Sequence, residues 1–321
     1  NDAGLSFEND SLAEGSGVIF GSSAGGMTTL NDSYKYVFEN KKNKVHPYTI
    51  PKIMANSASS NISIAFNIRG PSFTVSSACS SSNHAMGLAY EAIKYDRQKV
   101  VLTGGSESLL CFGGIKSWES LRVMSPNLCR PFSKGRNGLV HGEGAGVFVF
   151  EDLQHAKSRG ANIIAEVIGF SMSSDASDLI IPDVNGPERA IRGVLKDAKI
   201  NNERVTYINA HGTGTVSNDK IECQAIKNVF LEQASNIKVS STKAMHGHLI
   251  GATSAVELLS CTLAIQKGII PPTINYLEAD PDCDLDLVPN YAQEREVDCV
   301  LNNSFAFGGM NAVLAIKKFK N

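Results

Sequence analysis

Short apolar runs recur along the whole chain and alternate with stretches whose apolar residues return every three or four positions. Residues 17–21 (GVIFG), 72–78 (SFTVSSA), 99–106 (KVVLTGGS), 146–151 (GVFVFE) and 163–170 (IIAEVIGF) read as strands. So do 205–210, 237–241, 299–304 and 312–317. Helices are predicted over 80–96, 186–198, 219–230 and 252–267. Strands that alternate with helices predict a layered α/β fold with buried, largely parallel sheets. A weak internal echo supports a repeat. Residues 74–79 (TVSSAC) lead from a strand into a helix, and 238–243 (KVSSTK) do the same later in the chain. A strand follows each, at 101–106 and 300–305.

Composition narrows the function classes. The chain has 321 residues, enough for two domains or one large one at about 150 residues per domain. Thirty Lys and Arg against 32 Asp and Glu give a net charge of −2, so there is no global basic field for nucleic acid or an anionic membrane. No apolar run approaches the ~18 residues of a membrane span, and no signal peptide opens the sequence. The seven cysteines are odd in number, widely spaced and without a C-x-x-C pair. They read as buried thiols in a reducing compartment, neither a disulfide framework nor a zinc site. The small basic runs at 40–44 and 317–320 read as solvated surface.

Candidate chemistry gathers at strand ends. Cys79, in SSACSSSNHAMG, ends an apolar strand just before a helix, where free backbone N–H groups and the positive helix end predict a lowered thiol pKa. Small neighbours leave room for a substrate. His211 follows the strand VTYINA in NAHGTGT, and His248 lies in STKAMHGHLIGA before another helix. A Cys with a His is the minimum for an activated thiol, and a second neutral His can donate to an enolate or oxyanion. Lys243, close by, would hold both imidazoles uncharged. In NNSFAFGGMN (302–311) the glycines permit close approach, and the N–H of Phe307 could complete an oxyanion hole with that of Cys79. No Walker A sequence, helix-opening G-x-G-x-x-G or H-E-x-x-H occurs, and His246 with His248 lacks further metal ligands at a useful spacing. GSSAG (21–25) matches a hydrolase elbow centred on Ser23, but too few strands precede it.

Together these segments resemble the β-ketoacyl synthases of the thiolase superfamily, over essentially all 321 residues. The motifs are GPSFTVSSACSSS, RPFSKGRNGLVHGEGAG, NAHGTGT, STKAMHGHLIGATSAVE and NNSFAFGGMNA, in family order. The likeness is greatest to elongating, acyl-carrier-protein-dependent enzymes: the ketosynthase II class, nodulation protein E-like proteins and type II polyketide ketosynthases. The resemblance implies a thiolase-like layered αβαβα fold of two similar halves, 1–152 and 153–321. It implies a cytoplasmic, homodimeric 3-oxoacyl synthase that binds no cofactor or metal. Other fatty acid or polyketide synthase subunits are possible partners. Cys79 would take an acyl group from carrier-protein phosphopantetheine, and His211 and His248 would stabilise the enolate left when a malonyl-carrier protein loses carbon dioxide. Lys243 would order and polarise the His pair. Glu257, Asp219 and Glu222 would support the site, Thr213 and Thr215 would touch the pantetheine arm, and Phe307 would gate acyl entry. Arg122 would contact the carrier protein at the mouth, and Ala24 would form a deep acyl-pocket floor.

Some features depart from the family pattern. The chain begins inside it, so the first half is expected to be incomplete, with a central strand lost and an edge unpaired. Ala306 replaces a common Gly beside Phe307, and Ile180 stands where relatives often carry a Thr. The alternative is a catalytically impaired subunit that only dimerises or scaffolds a carrier protein. A thiolase is disfavoured because NNSFAFGG lacks a second cysteine.

Overall fold

The computed structural model describes residues 2–320. A first sheet joins β1 (Ser16–Gly21), β2 (Ser72–Val75), β3 (Val100–Glu107) and β4 (Gly144–Glu151) in the order β2-β1-β3-β4. β1 runs parallel to β2 and β3, and β4 lies antiparallel to β3. The second sheet contains β5 (Glu166–Ser174), β6 (Tyr207–Asn209) and β7 (Lys238–Ser240). A two-residue ladder of β8 (Ile269–Ile270) and β9 (Gln293–Glu294) stands apart, and β10 (Cys299–Ala306) and β11 (Met310–Lys317) complete the second sheet in the order β5-β11-β10-β6-β7. Both sheets are mixed, with a parallel centre and an antiparallel flank, so the expectation of largely parallel sheets holds only for their centres.

The two sheets repeat one topology. β6, β7, β10 and β11 take the places of β1, β2, β3 and β4, and β5 has no counterpart in the first sheet among the described residues. That corrects the expectation of a lost central strand: the unmatched position is an edge beside β4, where Val147 and Val149 are exposed. The echo of TVSSAC and KVSSTK follows from this repeat, because β2 and β7 are equivalent outer strands.

Helices Ser81–Lys94 and Thr253–Lys267 lie between the sheets. Their buried faces are built from Ala, Ser, Gly, Cys and Thr more than from large aliphatics, which lets a helix be covered on both sides. At Gly87 a Cβ would fall within 2.4 Å of the Phe170 ring, so only glycine lets the first helix close on β5. Helices Asn185–Ala198 and Val216–Phe230 cover the outer face of the second sheet with Ile191, Val194, Ile226 and Val229. Helix Ser57–Phe66 covers the first sheet with Ala58 and Ile62. The result is an αβαβα stack in which the ends of β2, β6, β7 and β10 point to one region. Among the described residues no helix is long and apolar enough to cross a membrane.

Candidate active site

Cys79 sits in a strained turn between β2 and helix Ser81–Lys94. Ala78, just before it, has φ +49°, a conformation that L side chains rarely hold without support. Support comes from Ser81, whose hydroxyl donates to the Ala78 carbonyl (2.7 Å) and accepts the Ser77 N–H (2.9 Å). The Ser80 hydroxyl donates to the Met310 carbonyl (2.6 Å), which ties this turn to the glycine loop after β10. The backbone N–H groups of Phe307 and Cys79 favour the anionic form of the sulfur. The expected thiolate is corrected. Burial pushes the Cys79 thiol up to about 12, against the smaller downward pull of the Lys243 charge and the two N–H groups. At neutral pH the resting sulfur keeps its proton.

His211 is carried on the loop after β6, and Glu222 fixes that loop. The Glu222 carboxylate accepts the N–H groups of His211 (2.8 Å) and Gly212 (2.7 Å), and Ser241 donates to the Gly212 carbonyl (2.6 Å). His248 is fully buried. Its Nδ1 pairs with the Thr253 hydroxyl (2.9 Å), and its Nε2 has no partner. The two rings stand edge to face, 5.5 Å between centroids. Burial and then the Lys243 charge hold both well below the ordinary imidazole range, so both are neutral. Lys243 is itself fully buried and pairs with Glu257 at 2.5 Å. It makes no hydrogen bond to either ring. It acts by charge, whereas Thr253 orients His248. Burial raises Glu257 and Glu222 to about 7 each, with Lys243 and the loop N–H groups respectively opposing the rise.

Cys79, His211, His248, Thr213, Thr215 and Phe307 line one cavity of about 130 Å³. The two threonine hydroxyls are 2.9 Å apart. Ile180 lines the same cavity and is half exposed. Arg122 is exposed beside the lining residue Val123. Ala24 is not brought to this cavity. Its N–H donates to the Glu107 carboxylate (3.0 Å). Among the described residues no group of three or more His, Cys, Asp or Glu is placed to hold a metal ion.

Two residues here went unnoticed in the sequence. Trp118 stacks on the Phe307 ring at 5.7 Å and lines the cavity, and its partner lies too far along the chain for any spacing rule to reveal. Arg136, inside RPFSKGRNGLVHGEGAG, is buried and donates to the carbonyls of Thr215 (3.2 Å) and Val216 (3.1 Å) while pairing with Asp280 and Asp219. Asp219 in turn accepts the N–H groups of Phe132 (2.7 Å) and Gly214 (3.2 Å), which joins both loops under the cavity. Arg136→Met leaves those carboxylates without their cation, and the expected loss is about 3–5 kcal/mol of stability, read as a fall in Tm.

A protonated thiol under two N–H donors, facing two uncharged imidazoles across a repeated αβαβα stack, defines a thiolase-fold condensing enzyme. The chain belongs to the β-ketoacyl synthase family, whose N-terminal domain matches residues 1–156 and whose C-terminal domain matches 164–277. It is 48% identical over 302 residues to nodulation protein E of Rhizobium sp. (strain N33), covering 94% of this chain and 75% of that protein. It is 39% identical over 319 residues to 3-oxoacyl-[acyl-carrier-protein] synthase 2 of Staphylococcus aureus (strain N315), covering 97% and 77%. A solved type II polyketide synthase acyl-carrier protein in complex with its ketosynthase, bound to the hexaketide, superposes with a TM-score of 0.91 at 31% identity, over 99% of this chain and 81% of that one.

Proposed function

We propose that this chain is a 3-oxoacyl-acyl carrier protein synthase that extends an acyl chain by two carbons, in fatty acid or polyketide biosynthesis. The observation that carries the reading is the convergence of Cys79, His211 and His248 on one cavity. In the first half-reaction the sulfur attacks an acyl thioester on carrier-protein phosphopantetheine, and the N–H groups of Cys79 and Phe307 hold the oxyanion. The pantetheine sulfur leaves and takes up the proton given up by Cys79. In the second, the bond to the malonyl carboxylate breaks and carbon dioxide departs. The electron pair passes to an enolate whose oxygen accepts from His211 and His248. The enolate carbon then attacks the acyl-Cys79 carbonyl and expels the sulfur, which takes up a proton from solvent. Neutral imidazoles suit this step, because each can donate one N–H without first losing a charge.

In this reading Thr213 and Thr215 touch the pantetheine arm, and Arg122 contacts the carrier protein at the mouth. Among the described residues the outer edge of β2 is unpaired, with Phe73 exposed, and offers a second copy a place to pair. Seven free, buried cysteines suit a reducing, cytoplasmic compartment. The test supplies an acyl-carrier protein with malonyl-carrier protein. A 3-oxoacyl-carrier protein two carbons longer, formed with one carbon dioxide per turn, is expected; acyl hydrolysis alone would reject the reading.

In this reading Phe307 is the gate, held shut by its stack on Trp118. Aromatic stacking contributes about 0.5–1.5 kcal/mol, so Phe307→Ala is expected to speed modification of Cys79 by a bulky maleimide about 2- to 10-fold. Iodoacetamide, which is small, should gain less. Equal gains for both reagents would remove the gate.

A further inference from the structure

Glu107 ends β3, is 4% exposed and takes no part in the steps above. Its Oε1 accepts from the Ser22 hydroxyl (3.3 Å) and the Ala24 N–H (3.0 Å). Its Oε2 accepts from the Ser23 N–H (2.9 Å), the Ser23 hydroxyl (2.6 Å) and the Gly251 N–H (3.0 Å). All five donors are neutral, and such a shell is what a buried carboxylate needs. The donors come from two places. Residues 22–24 continue β1 in the first half of the molecule. Gly251 belongs to the turn Ile250–Ala252, which begins two residues after His248 in the second half.

The segments meet without room for side chains. A Cβ on Gly251 would lie 2.5 Å from the Glu107 Oε2 and 2.6 Å from the Ser23 nitrogen. A Cβ on Gly21 would lie 2.4 Å from the Ser82 nitrogen, so the end of β1 abuts the first turn of the helix that follows Cys79. A Cβ on Gly105 would lie 2.7 Å from the Ser82 Cβ and 3.1 Å from the Gly251 carbonyl oxygen. The carboxylate thus clamps the turn behind His248 onto the end of β1, which in turn abuts the first turn of the helix that follows Cys79.

We propose that Glu107 is a positioning residue for the condensation, fixing the His248 turn against the Cys79 turn so that thiol and imidazole share one geometry. The inference rests on the assignment of Cys79 and His248 above. It also has an electrostatic signature. Two charged groups act on the sulfur, Lys243 in favour of its ionisation and Glu107 against it, while His211 and His248 are neutral.

Glu107→Gln keeps the shape, removes the charge and turns an NH2 toward donors. Iodoacetamide alkylation of Cys79 at fixed pH is expected to rise, because loss of the carboxylate charge removes one of the influences that hold the thiol protonated. The kcat of condensation is expected to fall ~10²-fold, the order that a 1 Å misplacement costs. Glu107→Asp keeps the charge and shortens the reach; condensation should fall while alkylation stays within about twofold. A purely structural residue would lower both rates together. Such a parallel loss, condensation at the wild-type rate in either folded variant, or failure of both variants to fold overturns the proposal. Absence of acyl transfer to Cys79 in the wild-type control would instead sink the assignment on which the proposal rests.

Discussion

Cys79→Ala is expected to form no acyl-enzyme and to lose condensation by more than ~10⁴-fold, the scale seen when a covalent nucleophile is removed. Cys79 is the one thiol among the residues lining the cavity, and the other six cysteines are buried elsewhere. The turn that seats it is held by Ser77, Ala78, Ser80 and Ser81 and not by the sulfur, so the variant should fold. Thermal unfolding within a few degrees of wild type, with condensation gone, is the expected pair of results. Retained condensation in a folded variant would move the nucleophile to another residue.

His211→Ala and His248→Ala are each expected to lower condensation ~10²–10³-fold, the usual loss for one donor to a developing oxyanion. The split between half-reactions matters more than the size. Acyl transfer to Cys79 uses the two backbone N–H groups, so either variant should still be acylated, to within ~10-fold of wild type. Decarboxylation of the malonyl group should fall with condensation. His248 carries the sharper expectation, because its Nε2 is buried without any protein partner. Pre-steady-state acylation beside steady-state carbon dioxide release measures both halves. Loss of acylation equal to loss of condensation would assign the imidazoles to the thiol proton and not to the enolate.

Much of this architecture was readable because the two halves bury similar strands. The strands at 17–21 and 312–317 are apolar almost throughout, and the turns that follow β2 and β7 carry the reactive Cys79 and Lys243. Residues 24–71 were opaque for a physical reason. Helix Met27–Glu39 has no buried residue, and Tyr34, Tyr36 and Phe38 are exposed, so its apolar residues do not report a core-facing element. The predicted strand at 163–170 is displaced to Glu166–Ser174, where Ser171 and Ser173 alternate with outward Met172 and hide the continuation. At the site, the side chains that do chemistry were legible from their positions at strand ends. Their protonation was not. The helix terminus beside Cys79 is visible in sequence, but the burial that outweighs it is set by residues from distant parts of the chain, among them Leu109, Ile250 and Ala306. For the same reason Glu107, Trp118 and Arg136 were missed: each acts on residues far away in the chain.

Peptide mapping of the protein after brief exposure to acyl-carrier protein, read by mass spectrometry under conditions that preserve thioesters, tests the central claim most directly. The account predicts the mass of one acyl group on the peptide containing Cys79, in wild type and in His248→Ala, and none in Cys79→Ala. An acyl group on any other residue, or no adduct on a folded protein that still turns over, would contradict it.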